Sequence, residues 1–206
     1  MKRLHGIKLF VVAIILTGIT STASAATIEA SSGVYAASIA AFNPIGQSFV
    51  AEDPLLGFIA FAFQDMNPTL SNSPITMTLY NGAGFGGTIV NSVVQTLPSV
   101  LPGYSDPSQF IDFDFSGTSL TAGSIYTAAV SASSYKVAVA YNGLTDAYLS
   151  GRLFSGSSLN ACDLGGCDLN FRVTPAAVPV PAAAVLFGTG VIGLVGVARR
   201  RARELQ

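Results

Sequence analysis

Between Ala26 and Pro175 the apolar residues never settle into a helical spacing over any length. They come in short runs rich in Val, Ile, Thr, Phe and Tyr, broken every few residues by Gly, Pro, Asn and Ser. That rhythm leaves a chain little choice but strands. The runs Gln47 to Val50, Leu56 to Phe63, Ile75 to Tyr80, Thr88 to Val94 and Gln109 to Phe115 are read as strands. So are Ser124 to Ser131, Lys136 to Tyr141, Ala147 to Phe154 and Asp168 to Val173. The stretches NPTLSNSP, NGAGFGG, LPSVLPGYSDP, LTAG and YNG supply the turns between them. Leu55 to Phe63 also fits a short buried helix, but Gly57 and the flanking prolines favour a strand. The register is plainest in FIDFDFSG, where Ile111, Phe113 and Phe115 point to a core and Asp112 and Asp114 point away. Nine short strands predict an all-β fold: an antiparallel two-sheet sandwich of the jelly-roll or lectin-like kind, spanning residues 26–174.

The two ends have a different character. The first 25 residues carry Lys2, Arg3 and Lys8, then an apolar run from Leu9 to Ile19, then Ala23-Ser24-Ala25. That order is a secretory signal peptide, with cleavage expected after Ala25. Setting the ends aside changes the charge. Residues 26–175 hold three basic side chains (Lys136, Arg152, Arg172) against ten acidic ones, a net charge of −7 where the whole chain shows −1. An exported acidic body without a basic patch argues against nucleic acid as a partner.

Catalytic chemistry finds little to build on. The sole histidine, His5, leaves with the signal peptide, which removes Ser-His-Asp and Cys-His mechanisms. Cys162 and Cys167, in ACDLGGCDL, are read as an exported disulfide. So short a loop makes it a local staple worth about 2 kcal/mol. A zinc site would need about four ligands, and the exported part has no histidine to offer. Asp112 and Asp114 are the nearest thing to a paired-carboxylate site, for a structural calcium ion or for acid–base work. The plainer reading is that they solvate an outward strand face. Glu52-Asp53, and Asp65 with Asn67, are further loop oxygens that fit ordinary turn chemistry equally well. The body lacks tryptophan but carries seven tyrosines, and Tyr104 in LPGYSDP is the best exposed platform for stacking on a sugar ring. The expectation is a protein that is not an enzyme and has no resident cofactor.

Residues 175–206 begin within TPAAVPVP (Thr174 to Pro181), a short Pro-rich stalk, and continue into an uncharged run from Ala182 to Ala198. As a helix its 17 residues would span about 25 Å, near the lower limit for crossing a bilayer. Arg199, Arg200, Arg201 and Arg203 follow and would stay in the cytoplasm. The ordered set Val178-Pro179-Val180-Pro181-Ala182, transmembrane helix and arginine cluster resembles a PEP-CTERM sorting signal. Val180 stands where that family most often has glutamate. The resemblance implies recognition and cleavage by exosortase, an integral-membrane transpeptidase of Gram-negative bacteria. It implies transient anchoring in the inner membrane, then transfer to the cell surface or extracellular matrix. Family context links such proteins to exopolysaccharide and biofilm formation. The expected role is therefore structural or adhesive, within or beside an exopolysaccharide matrix. A carbohydrate-binding module is the alternative, and a glycan-active hydrolase a more distant one.

Overall fold

The computed structural model describes residues 26–66, 74–104, 106–157 and 166–177. The signal-cleavage residue Ala25, Cys162, the sorting motif Val178 to Ala182 and the arginines from Arg199 to Arg203 lie outside the described residues. Twelve strands run in chain order through the described part, which contains no helix. They are β1 (Ile28–Ala30), β2 (Tyr35–Ser38), β3 (Ile45–Val50), β4 (Leu55–Asp65), β5 (Pro74–Asn81) and β6 (Ile89–Thr96). There follow β7 (Gln109–Ser119), β8 (Ile125–Ser131), β9 (Val137–Asn142), β10 (Leu153–Ser155), β11 (Asp168–Leu169) and β12 (Phe171–Pro175).

The strands form two sheets in which every strand pairing is antiparallel. A seven-stranded sheet has the order β1-β12-β4-β9-β11, with β7 on the other side of β4 and β2 beside β9. A five-stranded sheet has the order β10-β3-β8-β5-β6. Alternation places Phe61 and Phe63 of β4, Phe113 and Phe115 of β7, and Phe171 of β12 against Phe49 of β3 and Met77 of β5 in one core. Each fully buried phenylalanine contributes about 2–3 kcal/mol by leaving water. At one open side Asn91 of β6 donates through Nδ2 to Thr118 Oγ1 of β7 at 2.8 Å, tying the two sheets edge to edge.

Most expected strands are present, and the departures have physical causes. β7 runs four residues beyond Phe115. Its ladder with β4 shifts register between Leu56 and Phe58, and Gly117, at φ 87°, absorbs the bulge that lets pairing resume at Thr118. The expected strand from Ala147 to Phe154 is a correction: only Leu153–Ser155 is extended. The backbone N–H groups of Ala147 and Tyr148 instead donate to the Asp168 carboxylate, both at 2.8 Å, so that segment turns rather than pairs. Two strands went unread. β1 and β2 are three and four residues long, and alanine-rich Tyr35–Ser38 carries little strand propensity of its own.

The described residues from 26 to 177 form one compact unit, whose first and last strands are neighbours. Ile28 pairs with Val173 and Ala30 with Phe171, so the chain enters and leaves along neighbouring antiparallel strands. Ala176 N donates to Leu55 O, which places the exit beside the first residue of β4.

Candidate functional site

The far end of β4 is built differently from its beginning. Phe61 and Phe63 face the core, so Gln64 faces outward, yet it is only 5% exposed. The loop after β6 covers it. Asp65 N donates to Pro102 O at 2.8 Å, Asp106 N donates to Gly103 O, and Gly103 N donates to Asp106 Oδ2 at 3.2 Å. Gln64 Nε2 completes the attachment by donating to Asp106 O at 2.7 Å. That bond fixes which end of the amide is which, since a flipped Gln64 would set oxygen against oxygen. The remaining atom, Oε1, is buried and has no hydrogen-bond partner among the described residues. A buried acceptor left unpaired costs about 1–3 kcal/mol, which makes it an exception requiring a reason.

Beside Gln64 the seven-stranded sheet forks. β4 pairs with β12 along its first part and with β9 at Phe63 to Asp65, and β11 and β12 run into the gap between them. Asn170 sits at the branch. Its N donates to Ala140 O at 2.8 Å and its O accepts from Ala62 N at 2.9 Å. Its side chain imitates a third strand: Oδ1 accepts from Gly33 N at 2.7 Å, and Nδ2 donates to Gly33 O at 3.0 Å. Gly33 must be glycine, because a Cβ there would lie 2.3 Å from the Tyr141 carbonyl carbon.

The outcome is a groove of about 320 Å³ lined by Gly33, Val34, Gln64, Tyr104, Asp106, Pro107 and Ser108. That volume falls at the lower end of small-ligand sites. Val34 is 79% and Tyr104 55% exposed, so two large side chains stand in solvent at its mouth. Tyr35 and Tyr141 stack nearby with ring centroids 5.6 Å apart. Burial, with smaller contributions from the neighbouring Tyr104 and Tyr35 phenols, pushes the Tyr141 phenol above its ordinary value.

The other sequence candidates are placed as follows. Asp112 and Asp114 lie on the outward face of β7, with Ile111, Phe113 and Phe115 buried on the other. Asp112 is committed to Arg172, at 2.8 Å, across Ala60, and the Arg172 guanidinium also lies 5.1 Å from the Phe110 ring centroid. Asp114 accepts from Ser116 N at 2.8 Å, and hydrogen bonding to Ser116 holds its carboxyl below the usual value. Among the described residues no three His, Cys, Asp or Glu side chains converge as a metal site would require. Cys167 is buried and is not a free thiol. NGAGFGG links β5 to β6 and folds back over the outer face of the five-stranded sheet. There Gly84 N donates to Thr127 Oγ1 at 2.8 Å, and Phe85 packs against Tyr80 and Phe154.

A second buried polar cluster joins the sheets. Asp168 of β11 is 1% exposed and accepts from Gln47 Nε2 of β3 at 2.8 Å, besides Ala147 N and Tyr148 N. Gln47 Oε1 accepts from Leu169 N at 2.9 Å, so every polar atom of the pair is used. Burial raises the Asp168 carboxyl above its ordinary value, and the three donors pull against that. This cluster is a joint between the sheets, with the Asp168 and Gln47 side chains both buried.

Sequence reasoning picked out Tyr104 but missed Gln64, Asp106, Gly33 and Asn170. One signal was available for Gln64: it is the first polar residue after the apolar run LLGFIAFAF. No protein-family model matches the chain, and no curated protein matches it.

Proposed function

We propose that this is an exported display domain, a sandwich of jelly-roll or lectin-like kind, that acts without catalysis as a structural or adhesive component of a cell surface or exopolysaccharide matrix. A PEP-CTERM-like tail, with its motif at Val178 to Ala182 and its arginines at Arg199, Arg200, Arg201 and Arg203, delivers it to an exosortase-type transpeptidase. Removal of the signal peptide at Ala25 and a Cys162–Cys167 disulfide belong to the same exported life. One observation carries the reading. Because β1 and β12 are antiparallel neighbours, the first and last strands of the described domain both reach the Leu55 end of β4, and the groove lies at the Gln64 end. Nine residues of strand separate the two by about 30 Å. A domain held from its C-terminus would thus carry its groove away from the attachment point.

Intact-mass measurement of protein released at the surface tests the sorting. The expected mass begins at Ala26 and lacks the segment beyond the Pro179-Val180-Pro181 motif. A mature membrane fraction that retains Arg199 to Gln206 would replace sorting with simple anchoring. The groove favours a second reading, a carbohydrate-binding module delivered by the same route. Its support is the pairing of an exposed tyrosine with a buried acceptor that has no donor among the described residues.

A further inference from the structure

We infer that the groove at the end of β4 binds a neutral, hydroxyl-rich glycan, with Tyr104 as the stacking platform and Gln64 Oε1 as the acceptor that fixes its orientation. The inference rests on the carbohydrate-binding reading and assigns it a site and a ligand chemistry. Three features converge on it. Gln64 lines the groove, is 95% buried, and has one amide atom held by Asp106 O and the other without a partner among the described residues. What that atom lacks is a donor, and the Asp106 carboxylate beside it is likewise an acceptor, with Oδ2 taking the Gly103 N–H. A ligand that satisfies this wall must bring donors, which a polyol does on every carbon.

The opposite requirement comes from the rest of the lining. Val34, Tyr104 and Pro107 present apolar surface, which suits the C–H face of a pyranose ring and would leave a linear amine unaided. Charge selects further. Asp106 stands at the groove in a body of net charge −7, so a uronate or sulfated glycan meets repulsion where a neutral one does not. Oε1 is shielded from solvent as the groove stands. Engagement therefore involves a small rearrangement of the lining side chains, which the exposed Val34 and Tyr104 permit.

The test uses the full exported protein and follows binding by isothermal titration calorimetry, a readout that does not depend on Tyr104 as its reporter. The probes are gluco-, galacto- and manno-tetrasaccharides, a polyuronate, and an oligolysine peptide as the cationic donor. Saturable binding of at least one neutral tetrasaccharide is expected. Tyr104→Ala should weaken it at least about tenfold, as truncating a central aromatic anchor does, and Tyr104→Phe should bind within about twofold of the parent. Gln64→Leu should also weaken binding, and Tyr104→Ala, altering an exposed side chain, guards against a folding defect in that variant. Stronger binding of the polyuronate or the oligolysine would overturn the ligand class. Neutral-glycan binding that ignores both Tyr104→Ala and Gln64→Leu would overturn this site while leaving a carbohydrate-binding module intact. No saturable binding to any neutral probe would overturn both, and the display reading would stand alone.

Discussion

Replacing Asn170 by aspartate changes one atom and leaves the volume untouched, which makes it a clean probe of the fork. In the native protein Nδ2 donates to Gly33 O at 3.0 Å and Oδ1 accepts from Gly33 N at 2.7 Å, with the residue 3% exposed. Asn170→Asp keeps the second bond and sets a carboxylate oxygen against the Gly33 carbonyl. The lost bond is worth about 1 kcal/mol, and the stranded carbonyl and the buried charge raise the cost to about 2–4 kcal/mol at neutral pH. A domain with about 5–15 kcal/mol of stability survives that loss and can be measured. Acid supplies the missing donor: a protonated carboxyl can give its O–H to Gly33 O. Folding thus favours the protonated form and raises the pKa of the introduced group. Its stabilising contribution is present below the ordinary carboxylate range and is lost as pH rises through the raised value. Urea unfolding followed by circular dichroism should show a deficit that is large at neutral pH and shrinks on acidification. Asn170→Ala, which has no proton to exchange, should show a cost that does not vary with pH. An Asn170→Asp deficit under about 1 kcal/mol at neutral pH, or one indifferent to pH, would refute the pairing with Gly33.

Asp168 carries a native version of the same effect. Burial raises its carboxyl, so the unfolding free energy should fall as pH rises from below the ordinary carboxylate range through the raised value, and Asp168→Asn should flatten that part of the profile. Gly151→Ala would place a Cβ 1.9 Å from Ser48 O and should cost more than about 2 kcal/mol, against under about 0.5 kcal/mol for Gly86→Ala, whose Cβ meets nothing within 4 Å. Thermal melts of the two variants side by side check that contrast. Arg172→Ala removes a half-exposed pair with Asp112 and should cost no more than about 1 kcal/mol. Added salt should shrink that difference further.

How much of this was legible in the sequence divides along the range of the interactions. Period-2 alternation in FIDFDFSG gave the register of β7 correctly, because one face of that strand meets the core and the other meets water. β4 was recognisable although most of it is buried on both faces, since Gly57 and the prolines disfavoured a helix. β1 and β2 were not legible, because they exist as partners for β12 and β9 rather than through their own residues. The segment after YNG reads as a strand, yet a carboxylate 20 residues further along the chain captures its N–H groups. The groove was half legible. An aromatic in a Pro-Gly-rich loop is a local signal, whereas the burial of Gln64 and the branch at Asn170 depend on segments that meet only in the folded sheet.

That division explains why the groove pairs a firm wall with a free one. Gly33 is pinned by both polar atoms of the Asn170 side chain, and Asn170 is itself locked between Ala140 and Ala62. Gln64 is the penultimate residue of β4, and its amide holds the Asp106 turn in place. Tyr104 belongs to the same turn but projects into solvent. Rigid strands thus fix where the acceptors point, while the stacking side chain keeps the freedom to meet a ring. A loosened fork should therefore weaken glycan binding even though Asn170 lies behind the lining. Asn170→Ala should do so with Tyr104 untouched, and Arg172→Ala, on the same sheet but away from the fork, should not. Equal affinity in all three proteins would mean that the Asp106 turn alone shapes the site and that the branch in the sheet serves folding only.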